Sequence, residues 1–262
     1  MERVIPLEGG VNFRDLGGYR TADGRRVRWR RVFRSGAMSS LTAQDATLVQ
    51  GLGIRVICDL RTRTERQREA VRWAGSEVVR LEWDYDPRHI RLGNMESAAD
   101  VSEQDSRDVV IAFYRKLPSL FEQQYTGLFA QLAAGNLPLL FGCSAGKDRT
   151  GLAAALLLTC LGVPPEQIIA DYTLTDQVAD LEGALLSARA QTIGFGQEHS
   201  YILKMSAAAR GPLLRSSPEY LEAAFDQIRR DHTAVEAYLR SRLGVTDDAA
   251  ASIRAHLLEE IP

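Results

Sequence analysis

The sequence predicts an α/β fold built on a parallel sheet, with a helical C-terminal part. Two observations carry this. Short apolar runs alternate with longer helix-like ones: Arg55-Val-Ile-Cys-Asp59 precedes the charged stretch Thr62 to Val71, and Leu137-Pro-Leu-Leu-Phe141 precedes Thr150-Gly-Leu-Ala-Ala-Ala-Leu-Leu-Leu158. Strands separated by helices pair in parallel, because the chain must cross back over the sheet between them. The second observation is composition: 45% hydrophobic and 25% charged residues in a chain of 262 are the proportions of an ordinary globular domain with its own core. No composition break, internal repeat or low-complexity tract divides the chain, so residues 1–262 are expected to form one domain.

The elements follow in order. Tyr19 to Phe33 reads as a hairpin, with Asp23-Gly24 at the turn and Val27 and Trp29 alternating beyond it. Thr42 with Asp45 has the spacing of a helix start that leads to Leu52. Arg55 to Asp59 is a short apolar strand, Thr62 to Val71 a charged helix, and Val78 to Trp83 another strand. Helices are expected from about Val109 to Ala134. The strand ending at Phe141 and the helix ending near Leu161-Gly162 come next, and Pro164-Pro165-Glu166 starts a further helix.

Charge and cysteine count narrow the function classes. A net charge of −2 argues against general nucleic-acid binding. The three cysteines, Cys58, Cys143 and Cys160, and the four histidines show no metal-ligand spacing and no disulfide framework, so no metal and no cofactor are expected. No stretch approaches the roughly 20 apolar residues of a membrane span. The chain starts Met-Glu-Arg and runs directly into motif sequence, which reads as a cytoplasmic protein without integral membrane association. Export by a non-cleaved route would leave no trace in such a sequence.

The chemistry concentrates in Cys143-Ser-Ala-Gly-Lys-Asp-Arg149, a loop on a strand-to-helix turn. Backbone N–H groups at a helix N-terminus are unpaired and carry partial positive charge, and a tight loop leading into the helix turns further N–H groups inward. Gly146 permits backbone conformations closed to other residues. Arg149 offers a planar fork for two phosphate oxygens. A cysteine in such a field is expected to ionise readily: free thiols titrate near 8.5, and those at helix N-termini beside Arg or Lys fall to about 3.5–7.5. The Cys143 thiolate can then attack phosphorus and form a phosphocysteine. Ser144, Ala145, Gly146 and Lys147 would cradle the anion, and the Thr150 hydroxyl could support the sulfur as it leaves. A nucleotide-binding loop is excluded by counting, because Gly142 is followed by three residues rather than four before Gly146-Lys147, and Asp148 stands where the Ser or Thr should be. A buried structural cysteine is the other reading of Cys143. The flanking strand and helix and the Gly-Lys-Asp-Arg-Thr-Gly run favour the nucleophile.

Cys143 to Gly151 resembles the signature of the Cys-dependent tyrosine phosphatases, and more narrowly the bacterial group of the mycobacterial tyrosine/phosphoinositide phosphatase B type, which has Ala-Gly-Lys-Asp-Arg in the loop. Asn12-Phe-Arg-Asp-Leu-Gly-Gly-Tyr19, Arg34-Ser-Gly36, Asp59-Leu-Arg61 and Pro218-Glu-Tyr-Leu-Glu-Ala-Ala-Phe225 are similar to other hallmarks of that group, in the same order. The resemblance implies a phosphatase fold, a central mostly parallel sheet flanked by helices. It also implies activity on phosphotyrosine, sometimes on phosphoserine/threonine or phosphoinositides. One position departs: the family usually has His immediately before the nucleophile, where this chain has Gly142. A slower first step is expected from that loss, with the pocket itself preserved.

The leaving oxygen needs a proton donor. Asp148 lies in the loop next to Arg149, and Asp59 ends a strand where α/β sheets place their ligands. Asp148 is the preferred acid, leaving Asp59 as a substrate-binding residue or a partner of Arg61. Lys147, one of three lysines with Lys116 and Lys204, could reach a second phosphate of a phosphoinositide or only add local charge. Arg25 to Arg31 suggests acidic lipid or RNA, but hairpin alternation makes it a solvated strand face. Cys58 could meet Cys143 as a redox partner, though a buried strand cysteine is the plainer reading. In the C-terminal part, Asp176 to Ser217 carries a glycine hinge, Ile193-Gly-Phe-Gly196, and a breaker pair, Gly211-Pro212. Leu181, Leu185, Leu186, Ile202, Leu203 and Met205 recur at roughly helical spacing. In the resembling phosphatase a helix pair after the loop forms a lid, so these helices are a lid or a plain cover of the sheet. Three functions remain open: a protein tyrosine phosphatase, a phosphoinositide phosphatase, and a weakly active phosphate-binding module. The partners are accordingly a phosphorylated protein or phosphoinositide as substrate, inorganic phosphate as product, and no nucleic acid.

Overall fold

The structure is a computed structural model that describes residues 2–71, 77–85, 100–186 and 202–261. Five strands form the central sheet in the order β1-β3-β6-β4-β5: β1 is Arg14–Asp15, β3 Val32–Ser35, β6 Leu139–Gly142, β4 Val56–Asp59 and β5 Val79–Glu82. The four from β3 to β5 run parallel, and β1 pairs antiparallel on one edge. The α/β architecture with a mostly parallel, helix-flanked sheet is therefore as the sequence predicts.

Period-two alternation sorts the strand side chains into two cores. Phe33, Ile57 and Leu140 face a small cluster with Val49 of α1 (Ala43–Gln50). Val32, Val56, Cys58, Leu139 and Phe141 face the large cluster. Its centre is α5 (Asp148–Cys160), buried at every position from Arg149 to Leu158 and apolar on all sides from Gly151 to Leu158, as a helix enclosed by others must be. Around it lie α3 (Glu103–Leu120), α4 (Glu122–Ala133), α6 (Pro165–Thr173), α10 (Pro218–His232), α11 (Val235–Ser241) and α12 (Asp247–Leu257). Among the described residues, no helix is long and apolar enough to cross a membrane.

Local signals place most helix starts. Thr42 caps α1 and Thr62 caps α2 (Arg63–Arg68), each in a reciprocal box with the residue three positions on, Asp45 and Glu65. The same device at Ser102 and Asp105 starts α3 six residues ahead of Val109, because its first turn is polar and hides the helical period. Helix α2 is shorter than expected and stops before Val71. The Tyr19–Phe33 hairpin exists only around Gly24 (φ +87), where the Val27 N–H donates to the Tyr19 carbonyl at 2.8 Å. Beyond it, β2 (Arg26–Val27) pairs with β7 (Leu258–Glu259) at the far end of the chain. Trp29 sits in a turn rather than on a strand, since Arg30 (φ +60) gives its N–H to Asp15 Oδ2 at 2.7 Å.

After α6 come α7 (Thr175–Val178), α8 (Leu181–Leu186), a 3-10 turn (Ile202–Lys204) and α9 (Ala207–Leu214). Leu181, Leu185, Ile202 and Met205 are buried, whereas Leu186 and Leu203 are exposed. Gly211-Pro212 does not break the chain: both lie inside α9, where burial of Pro212, Leu213 and Leu214 outweighs the local cost of proline. The expected hinge Ile193–Gly196 lies outside the described residues.

Candidate active site

Strands β3, β6 and β4 end side by side, with Ser35, Gly142 and Asp59 in register. The loop from Cys143 to Lys147 leaves β6 at this point, so it stands at the carboxyl edge of the sheet, where α/β folds bind ligands.

The loop's conformation is set by what holds its carbonyls. Ser144 O accepts from the Ala37 N–H at 2.7 Å. Ala145 O and Gly146 O accept from Asn12 Nδ2 at 3.2 and 2.9 Å, and Gly146 O also from Arg34 Nη2 at 2.8 Å. A trans peptide points its N–H opposite its carbonyl. Three carbonyls drawn outward therefore turn the N–H groups of Ala145, Gly146 and Lys147 inward. Among the described residues, none of these N–H groups has an acceptor. The turn requires Gly146: its φ is +67, and a Cβ there would lie 2.5 Å from the Gly36 nitrogen.

Behind the loop is a buried ion cluster. Arg14 of β1 and Arg34 of β3, both with fully buried side chains, converge on Asp171 of α6, Arg14 Nε on Oδ1 at 3.2 Å and Arg34 Nη1 on Oδ2 at 2.6 Å. The Tyr19 hydroxyl donates to Oδ1 at 3.0 Å, and Arg14 also bonds the Asn12 side chain. Burial pulls the Asp171 carboxyl upward, but the two guanidinium charges prevail and hold it down at about 2. Burial first, and then its neighbour Arg34, lower Arg14 to about 10. The hallmark residues Asn12, Arg14, Tyr19 and Arg34 thus act together as the loop's foundation.

At the mouth, Arg149 is clamped by Glu65, with Nη1 on Oε2 at 2.9 Å and Nη2 on Oε1 at 2.8 Å. Arg149 Nη1 also reaches the Leu60 carbonyl and the Tyr85 hydroxyl, at 3.1 and 2.9 Å. Ser144 Oγ donates to Glu65 Oε1 at 2.5 Å. Burial would raise the Glu65 carboxyl, but Arg149 keeps it well below the usual range. Glu65 serves twice, since it also accepts the Thr62 N–H in the box that starts α2. It is not among the residues singled out from the sequence. Tyr85 and Asp171 have no signal in spacing at all.

The other expected site residues are placed as follows. Cys143 is buried at the loop's start, and Cys58, Cys143 and Cys160 are all free thiols. Burial pushes Cys58 up to about 12. The Thr150 hydroxyl is buried and has no hydrogen-bond partner among the described residues. Asp59 is buried and receives the Arg61 backbone N–H at 3.0 Å, Nε at 2.9 Å and Nη2 at 2.7 Å. Lys147 is buried, and its Nζ donates to the carbonyls of Leu213 and Arg215 at the end of α9, at 2.7 and 3.2 Å. Asp148 Oδ1 accepts from the Tyr114 hydroxyl at 2.7 Å and lies 3.3 Å from Lys147 Nζ. Beside Gly142 and Cys143 is a small cavity of about 20 Å³, walled by Ser35, Met38, Ile57, Asp59 and Arg61. A Cβ on Gly142 would lie 2.8 Å from both the carbonyl and the hydroxyl oxygen of Ser35.

This arrangement can bind a tetrahedral dianion in a ring of N–H groups above a cysteine, with a guanidinium at its rim. The family model described as the tyrosine phosphatase family matches residues 5–259. A protein assigned as a tyrosine-protein phosphatase in Cupriavidus necator is 32% identical over 253 residues, covering 94% of this chain and 85% of its own length. The triple specificity protein phosphatase PtpB of Mycobacterium tuberculosis is 29% identical over 279 residues, covering 97% and 99%. A tyrosine-protein phosphatase of Nostoc commune matches more narrowly, 28% over 150 residues.

Proposed function

From the premise that the chain belongs to the tyrosine phosphatase family and is a tyrosine phosphatase, we propose that it hydrolyses phosphomonoesters through a phosphocysteine on Cys143. The sulfur attacks phosphorus, and an S–P bond forms as the bond to the leaving oxygen breaks. The inward N–H groups and Arg149 hold the equatorial oxygens as their charge shifts in the transition state. Asp148 gives its proton to the leaving oxygen. It then takes one from the water that cleaves the S–P bond, releasing inorganic phosphate and the cysteine thiolate. The single observation that supports this most is the set of loop carbonyls tied outward by Ala37, Asn12 and Arg34, which leaves the anion ring preformed.

Protein phosphotyrosine is the proposed main substrate, with phosphoserine and phosphothreonine in reach, in keeping with the relative named for triple specificity. The phosphoinositide alternative leaned on Lys147, whose ammonium is engaged by α9. Residues 176–217 are proposed as a lid of the same single domain, its described part tied to the loop by those two bonds and closed on itself where Asp176 accepts the Ser216 N–H at 2.7 Å.

The test is hydrolysis of an aryl phosphate and of a panel of phosphopeptides and phosphoinositides by the protein and by Cys143→Ser. Loss of all turnover in the variant, with a phosphorylated cysteine trapped in the parent, is expected. Turnover that survives Cys143→Ser refutes the mechanism, and a preference for phosphoinositides refutes the substrate.

A further inference from the structure

Two tyrosines outside the loop converge on its aspartate. Tyr114 of α3 and Tyr172 of α6 are fully buried, and their hydroxyls lie 2.6 Å apart. The Tyr114 proton goes to Asp148 Oδ1 at 2.7 Å, so Tyr172 must be the donor to Tyr114. The order is Tyr172 to Tyr114 to Asp148. Burial raises both phenols well above their ordinary value, which keeps each of them a donor throughout the working pH range. The packing is specific to this chain path. A Cβ on Gly151, in the second turn of the loop helix, would lie 2.9 Å from the Tyr172 ring, so the glycine after Thr150 is what lets the ring approach.

The Tyr114 hydroxyl, by a hydrogen bond, and the Lys147 ammonium, as an ion pair, both meet the same Asp148 oxygen, Oδ1. A carboxyl oxygen that accepts a hydrogen bond and faces an ammonium is disfavoured as the site of a proton. The other oxygen, Oδ2, has no donor among the described residues, and the side chain keeps about a quarter of its exposure. We propose that Tyr114, held by Tyr172, is a positioning residue that confines the transferable proton of Asp148 to Oδ2 and fixes that oxygen toward the leaving group. This rests on Asp148 being the general acid. Among the described residues, the Tyr114 hydroxyl bonds only Asp148 and Tyr172, not the nucleophile or the loop N–H groups.

Four proteins test this, each assayed on a tyrosyl phosphate, whose leaving group needs a proton, and on an activated aryl phosphate, whose leaving group does not. They are the parent, Asp148→Ala, Tyr114→Phe and the double variant. Tyr114→Phe should lose about tenfold or more in kcat on the tyrosyl ester, the worth of one hydrogen bond to an ionisable group. It should keep its rate on the activated ester and its affinity for inorganic phosphate. The double variant should be no slower than Asp148→Ala. Equal losses on both esters in Tyr114→Phe, or a further loss in the double variant, overturn the proposal while leaving Asp148 in place. An equal loss on both esters in Asp148→Ala overturns the general-acid reading and this proposal together. If Tyr114→Phe does not fold, Tyr172→Phe carries the test from the far end of the chain, with a smaller loss of the same selectivity expected and an unselective one refuting it.

Discussion

Replacing Asp171 by Asn removes one charge from the centre of the loop's foundation and leaves its shape nearly unchanged. Arg14 and Arg34 would remain at zero exposure without their shared counter-ion, and each would face the other's like charge. Breaking a buried pair from one side costs about 3–5 kcal/mol. A domain commonly has about 5–15 kcal/mol in total, so the variant should retain a fold with much of its margin gone. For a chain of this size each kcal/mol is roughly 2–4 °C, which predicts a melting point lower by roughly 6–20 °C. Urea unfolding at neutral pH, followed by circular dichroism, measures it, and an unchanged slope would show that stability alone had altered. The pH dependence adds a second reading. Asp171 titrates at about 2 in the folded protein, below its ordinary value of 3.8, so its stabilisation is present above about pH 4 and is lost as pH falls toward 2. The variant lacks that contribution, and its stability should fall less steeply across the same window. Aryl phosphate turnover should also drop well below the melting point, because Arg34 holds the Gly146 carbonyl. A variant within 1 kcal/mol of the parent, with an unaltered acid limb, would refute the reasoning.

Glu65→Gln should destabilise the free protein more than the phosphate-bound one, since a bound dianion can replace the lost partner of Arg149. Phosphate should therefore raise the variant's melting point by more than the parent's, and a smaller rise would count against the clamp. Gly142→Ala should cost about 1–3 kcal/mol in urea unfolding, because its Cβ meets the Ser35 carbonyl as well as the Ser35 hydroxyl, and the backbone oxygen cannot rotate away. Lys147→Met keeps the stem but leaves the Leu213 and Arg215 carbonyls without their donor. Faster amide exchange at 207–217, with α5 unaffected, is expected, and unchanged exchange would show that Lys147 does not anchor α9.

Much of this was legible in the chain, and the reason is locality. The strands around Val56, Val79 and Leu139 and the starts of α1 and α6 are written in neighbouring residues: apolar runs, a Thr with its partner three positions on, a proline pair. What depended on distant residues was not. Strands β2 and β7 are two residues each and exist because they meet each other, which no hairpin signal at Tyr19–Phe33 could announce. Gly211-Pro212 reads as a break because local cost is visible in sequence and burial of Pro212 is not. Lys147, which sequence spacing placed in the anion loop, is turned by tertiary packing to the end of α9.

The sequence by itself determined that a cysteine and an arginine stand on a strand-to-helix turn with five residues between them, one of them a glycine where the backbone must take positive φ. Those are properties of adjacent residues and of the backbone's own sterics. Only the tertiary structure decided which way the loop's N–H groups point, because Asn12 and Arg34 act on it from 134 and 112 residues away. It alone brought Glu65 to Arg149, Asp171 to two arginines, and Tyr114 to Asp148. Hydrogen-bond partners are chosen by distance in space over a few ångströms, and the fold sets that distance.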